Sequence, residues 1–222
     1  MLNVRHHNRR GLWIALFGPD GAGKTATIDE LTHRLKPLFS EVTGFHFRPE
    51  FGNRTTGRPP VLNPHGQAPR SRVISLVKLI YWLLDCWLGY LTVILPALRR
   101  AQIVIFDRYL PDILVDPQRY RLPASAMWLA RFMVRLAPCP DLYILLDVSA
   151  EELQRRKCEV APAESQRQRT AYFALFRSLA ATLVIDAERP VPEVACQVMN
   201  ALSTLHVISP LPQSEASAIA NL

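Results

Sequence analysis

Four short runs of apolar residues, at 12–17, 103–106, 142–146 and 183–185, recur along the chain, and a weaker one stands at 42–47. A short apolar run without alternation is what a strand covered on both faces requires, and that is the habit of parallel sheets. Between the runs the period changes. Ala26, Ile28, Leu31, Leu35 and Leu38 recur at helical spacing, and Pro37 closes that element. The segment 70–100 is long and apolar, with Gly89 and Pro96 as its natural breaks, and 123–137 predicts a further helix. Ser149 is placed to cap a helix over 149–158, Tyr172, Phe173, Leu175, Phe176 and Leu179 share one helical face, and Pro190 opens a last helix over 190–204. The loop 48–69, rich in Arg, Pro and Gly, exceeds a simple connector, which marks it as functional or disordered. Strands alternating with helices predict an α/β fold, a five-stranded parallel sheet flanked by helices in three layers. In such sheets ligands bind beyond the carboxyl ends of the strands.

At that end of the first strand stands Gly18-Pro19-Asp20-Gly21-Ala22-Gly23-Lys24-Thr25, which meets every position of the phosphate-cradling pattern G-x-x-x-x-G-K-[ST] between a strand and a helix. Its glycines let backbone N–H groups of Gly18, Asp20, Gly21, Ala22 and Gly23 turn toward a phosphate chain, and the helix points its positive end at the same charge. Lys24 reaches the outer phosphates and the Thr25 hydroxyl ligates Mg²⁺. The loop therefore predicts binding of ATP with Mg²⁺.

Composition adds bounds. At 222 residues the chain is predicted to hold one domain over 11–207, with a basic arm at 1–10 and a C-terminal tail at 208–222. The net charge is +7. Its arginines are spread among the motifs, which favours phosphorylated small molecules over nucleic acid. Four scattered cysteines without metal-ligand spacing, and no secretory signal, predict a cytoplasmic protein. The apolar segment 73–98 approaches the length of a membrane span, but Lys78 and Asp85 lie inside it, so a helix buried between the sheet and other helices is the expectation. Contact with a membrane and a homodimer interface are the other uses considered for it.

Phosphoryl transfer needs a carboxylate near the metal and cations near the moving group. Asp107, at the end of the third strand, suits Mg²⁺ or a proton, and Arg108 beside it suits an acceptor phosphate. Arg155 and Arg156, followed by Lys157 and more distantly by Arg167 and Arg169, form a candidate basic lid that closes over the transferring group.

In this order, the phosphate loop, His46-Phe47-Arg48-Pro49, Asp107-Arg108-Tyr109 and Arg155-Arg156-Lys157 resemble the thymidylate kinases, over most of residues 11–204. The resemblance implies a P-loop kinase that moves the γ-phosphoryl group of ATP to dTMP. It places Asp20 near the acceptor and the metal, Arg48 and Arg108 on the acceptor phosphate with Tyr109 beside them, and the catalytic arginine in the lid, since Gly21 follows Asp20. It also aligns the family's Phe-x-x-x-Arg pattern with Tyr81-Trp82-Leu83-Leu84-Asp85, putting a carboxylate where the family carries a cation. A carboxylate repels a monophosphate and favours hydroxyl donors. The same chemistry on a nucleoside, a sugar or a glycan end is therefore the alternative, with a non-catalytic ATP-binding module as the competitor of a different kind.

Overall fold

The computed structural model describes residues 10–49, 68–156 and 161–204. Five strands, β1 (Leu12–Phe17), β2 (Val42–His46), β3 (Ile103–Asp107), β4 (Leu142–Asp147) and β5 (Thr182–Asp186), form one parallel sheet in the order β2-β3-β1-β4-β5. The three central strands are buried almost throughout, as their unbroken apolar runs require, whereas the edge strands β2 and β5 are half-exposed.

Alternate residues of each central strand feed opposite faces of the sheet. Leu12, Ile14, Leu16, Ile103, Ile105, Ile144 and Leu146 pack under α1 (Lys24–Leu35) and α8 (Val191–Thr204). Trp13, Ala15, Phe17, Val104, Phe106, Tyr143 and Leu145 face the other layer, built from α2 (Arg72–Gly89), α3 (Leu95–Arg99), α4 (Asp112–Val115), α5 (Met127–Leu136) and α7 (Pro162–Phe176). Near α7 in sequence lies the short α6 (Ala150–Arg156), where the Ser149 hydroxyl accepts a hydrogen bond from the Glu152 N–H at 3.3 Å, as an N-cap does.

The long apolar segment meets one expectation, a break at Gly89, and departs from another. It is interrupted by a π-helical turn, Tyr90–Ile94, directly after Gly89. Gly89 is required there, because a Cβ would stand 2.3 Å from the Pro49 ring. The helix, however, is not enclosed. One face (Leu79, Trp82, Cys86, Gly89) is buried, but Val73, Val77, Tyr81, Leu84 and Leu88 face outward. Trp128, Phe132 and Leu136 of α5 are exposed beside them, and the Trp87 indole N–H donates to the Leu136 carbonyl at 3.1 Å. Apart from Val184, every large hydrophobic side chain exposed among the described residues belongs to α2, the π-helical turn after it, or α5. By length and composition the helical run Arg72–Arg99 is long and apolar enough to cross a membrane. A further difference concerns 162–170. The helix that carries Tyr172, Phe173 and Leu175 already begins at Pro162, which suits a helix's first turn, so Arg167 and Arg169 lie on it.

Candidate functional site

The phosphate loop leaves β1 with Gly18 at φ 146°, Gly21 at 87° and Gly23 at 84°. A side chain at Gly18 would also meet the Leu146 carbonyl at 2.9 Å, so conformation and space both demand glycine. Lys24 is buried and its ammonium donates to the Gly18 and Pro19 carbonyls at 2.9 and 2.8 Å, which folds the side chain over the loop. Burial, aided by Arg108 and opposed by Asp107, Asp20 and Asp112, pushes Lys24 down to about 8. A phosphate chain in the loop would supply the anion that this cation lacks. Thr25 is exposed at the start of α1.

The carboxyl ends of the neighbouring strands bring the remaining groups to this edge. His46 and Asp107 are register partners in β2 and β3, and the His46 Nδ1 lies 3.4 Å from Asp107 Oδ2. The other oxygen, Oδ1, is buried with no hydrogen-bond partner among the described residues. Burial alone would raise the Asp107 carboxyl. The His46 hydrogen bond, Lys24 and Arg108 outweigh it and hold the group below its ordinary value, so it is an anion. No group of three or more His, Cys, Asp or Glu suited to a metal occurs among the described residues. One unpartnered carboxylate oxygen and one exposed hydroxyl instead fit an ion such as Mg²⁺, which takes few protein ligands and completes its shell with phosphate and water.

Two residues just past the strands, Phe47 and Arg108, hold left-handed backbone, with φ of 63° and 64°. Each is pinned by a main-chain bond, Phe47 N–H to the Asp107 carbonyl at 3.0 Å and Arg108 N–H to the Leu16 carbonyl at 2.9 Å. Arg108 is thereby turned under the phosphate loop, where it is 3% exposed. Its Nη1 donates to Asp112 at 3.0 Å and to the Tyr172 hydroxyl at 2.8 Å, and its Nη2 to Asp20 at 2.6 Å. Asp112 also accepts from the hydroxyls of Tyr172 at 2.6 Å and Tyr120 at 2.7 Å. Arg119 donates to the second Asp20 oxygen at 2.5 Å. Burial would raise the Asp20 carboxyl, but Arg108, Lys24 and Arg119 hold it far below the carboxylate range.

Beside this polar network stands an aromatic wall. Phe47 stacks on Tyr120 at a centroid separation of 4.6 Å, and Trp82 meets both rings edge-on at 5.2 and 5.8 Å. The ring that α2 turns inward is therefore Trp82. Tyr81 is 55% exposed on the outer face, 5.5 Å beneath the Arg48 guanidinium. Asp85 is buried and accepts from Arg48 at 2.9 Å, so the carboxylate expected to repel a phosphate neutralises an arginine instead. Tyr109 needs correction as an acceptor residue. It lies 1% exposed in the core against Trp13 and Phe106, with its hydroxyl on the Pro138 carbonyl at 2.8 Å.

On the far side of the phosphate loop, Ala22, Gly23 and Thr27 line a cleft of about 310 Å³ with Arg156, Val194 and the segment 187–191. Arg156 is fixed in its wall, donating to the Ala187 and Glu188 carbonyls at 2.9 and 3.1 Å and to Glu152 at 2.9 Å. Arg155 is 81% exposed, held only loosely at 3.6 Å from Glu152. Arg167 and Arg169 are tied down, the first to Glu164 and the second to both oxygens of Asp147, at 2.6 and 2.7 Å. Lys157 and most of the loop 48–69 lie outside the described residues.

Sequence reasoning passed over Asp112, Arg119, Tyr120 and Tyr172 as site residues. Asp112, Arg119 and Tyr120 lie shortly after the Asp107-Arg108-Tyr109 triplet, where the thymidine site of the resembled family carries polar amides that this sequence lacks, and that position was their only signal.

Known proteins resemble this chain over most of its length. A family model described as thymidylate kinase matches residues 17–198. A thymidylate kinase of Leifsonia xyli subsp. xyli is 31% identical over 211 residues, covering 86% of this chain and 94% of its own. One of Leuconostoc citreum is 27% identical over 206 residues, covering 83% and 91%. A thymidylate kinase of Xanthomonas campestris pv. campestris is 32% identical over 138 residues, covering 62% and 56%.

Proposed function

This chain belongs to the thymidylate kinase family, and from that footing we propose that it transfers the γ-phosphoryl group of ATP to dTMP in the presence of Mg²⁺. The observation that carries the reading is convergence. The phosphate loop, the Asp107 carboxylate and the Arg108 guanidinium meet at one edge of the sheet, between a cleft on one side and an aromatic wall on the other.

ATP would lie with its base in the cleft beside Gly23 and Thr27 and its phosphates in the loop, where Lys24 exchanges the Gly18 and Pro19 carbonyls for phosphate oxygens. Thr25 and Asp107 would hold Mg²⁺, whose chemistry there is to neutralise phosphate charge. The thymine ring would meet the Phe47, Trp82 and Tyr120 wall, and Arg108 would orient the acceptor phosphate. An oxygen of that phosphate attacks the γ-phosphorus as the bond to the β-phosphate oxygen breaks, giving dTDP and ADP. Asp85 no longer argues for another acceptor, because Arg48 balances it. Arg155, exposed at the end of α6, would enter as the lid arginine, while Arg156 walls the cleft.

The exposed apolar face of α2 and α5 would be covered by a second copy of the chain. A twofold axis would set the two apolar stripes against each other and remove Leu84, Leu88 and Phe132 from water.

A coupled assay of ADP release with dTMP, other nucleoside monophosphates, nucleosides and sugars tests the acceptor. Turnover greatest with dTMP is expected. Turnover with a sugar or nucleoside but not dTMP would overturn the reading.

A further inference from the structure

Arg119 stands apart from the residues that family resemblance assigns, and its geometry is informative. The side chain is 24% exposed, its backbone N–H is anchored by Asp116 Oδ1 at 3.1 Å, and its guanidinium donates to Asp20 Oδ2. Arg108 donates to Asp20 Oδ1, so two guanidiniums from opposite ends of the segment 108–119 converge on a single carboxylate of the phosphate loop. A carboxylate held through both oxygens by two arginines has the shape and charge of two oxygens of a phosphoryl group. Arg108 cannot move far, because Asp112 and Tyr172 hold its other nitrogen in the core. Arg119 is the adjustable member of the pair. Tyr120, the next residue, belongs to the aromatic wall, so one short segment bears on both the wall and the charge.

We propose that Arg119 is a specificity residue that binds the acceptor's phosphate, forming with Arg108 a two-arginine clamp for which the Asp20 carboxylate and that phosphate compete. The proposal rests on the kinase reading above and names a second phosphate ligand for its acceptor site. Replacing one carboxylate by a phosphate dianion increases the negative charge between the two arginines. Asp20, released from one or both, then faces the acceptor and the metal ligands. An acceptor without a phosphate would leave the clamp closed on Asp20, which explains at this site how a nucleoside is discriminated from its monophosphate.

Arg119→Ala, Arg119→Lys and Asp20→Asn test this against the wild-type chain. Steady-state kinetics of Arg119→Ala should show a dTMP KM raised roughly 10- to 100-fold, the loss of one charge-assisted hydrogen-bonded contact, with the ATP KM unchanged. Arg119→Lys should recover part of the loss, since it keeps the charge without the fork. Binding of dTMP by calorimetry in the absence of ATP should weaken in Arg119→Ala and strengthen in Asp20→Asn, because the second variant removes the competing anion. A merely structural ion pair predicts the same direction for both variants. Unchanged dTMP binding and KM in Arg119→Ala would overturn the proposal. If the wild type does not phosphorylate dTMP, the kinase reading on that acceptor fails. The clamp is then judged by inorganic phosphate added to the chain with ADP saturating the phosphate loop; the further stabilisation against heating that it gives the wild type should be lost in Arg119→Ala, and retention of that further stabilisation overturns it.

Discussion

Asp112 is the residue whose replacement discriminates most sharply between a built site and an incidental cluster of polar side chains. It is fully buried and accepts from one guanidinium nitrogen and two tyrosine hydroxyls. Asp112→Asn keeps the volume but leaves one good acceptor oxygen for those donors, and turns an N–H₂ group toward the rest. Two charge-assisted bonds are then lost, at about 1.5 kcal/mol each net. Removing the nearest counter-charge of a buried Arg108, which keeps only Asp20, adds to this, for a total of about 3 to 4 kcal/mol. At about 2 to 4 °C per kcal/mol for a domain of this size, the melting midpoint should fall by about 6 to 16 °C. Urea unfolding followed by tryptophan fluorescence measures the first figure and calorimetry the second. In the same variant kcat/KM for dTMP should fall at least about tenfold, because Arg108 loses the anchor that aims its Nη2 at Asp20 and the acceptor site. Tyr172→Phe, which removes no charge but takes one hydroxyl from Asp112, the Gly18 carbonyl and the Arg108 guanidinium, should cost about 1 kcal/mol. A loss below about 1 kcal/mol in Asp112→Asn would refute the network as the support of Arg108.

The other predictions address separate parts of the molecule. Arg155→Ala should lower kcat by roughly 10³-fold with little change in ATP KM, whereas Arg156→Ala should chiefly raise the ATP KM; steady-state kinetics with ATP varied reads both, and the reverse pattern would exchange their roles. Leu84→Glu with Leu88→Glu should convert a dimer to a monomer in sedimentation equilibrium, and a wild-type chain that is monomeric at micromolar concentration would remove the proposed interface. Asp20 has a folded pKa below its unfolded value of 3.8, so the stability it contributes is complete above that value and is lost as pH falls below it. Asp20→Asn should therefore be the less stable protein at pH 7, with a shallower loss of stability between pH 4.5 and 3 than the wild type, read by urea unfolding at each pH.

Much of the fold was legible because it is written locally. The apolar runs at 12–17 and 142–146 have one solution in a sheet covered on both faces, and the phosphate loop encodes its own conformation in Gly18, Gly21 and Gly23. The break after Gly89 was visible as a glycine in a long apolar helix, whereas the contact that demands that glycine, with Pro49 from a distant segment, was not. The site divides the same way. Lys24, Asp20, Asp107 and Arg108 follow strand ends, where chain order predicts position. Tyr81 and Trp82 differ by one residue, yet a helix turns them 100° apart, and only packing against Phe47 and Tyr120 selects Trp82. Asp85 reads as a repelling charge until Arg48, 37 residues earlier, is seen beside it. Arg119 and Tyr172 meet the phosphate loop across 99 and 154 residues, and no spacing rule reaches that far.

The central claim is that the phosphate loop feeds ATP to dTMP. It is tested most directly by following the γ-phosphoryl group itself, with labelled ATP, into dTDP for the wild-type chain and for Lys24→Ala. Label is expected in dTDP with the wild type and none above background with Lys24→Ala, whose circular dichroism and melting midpoint remain those of a folded protein. Full transfer by folded Lys24→Ala, or no label in dTDP from the wild type, would contradict it.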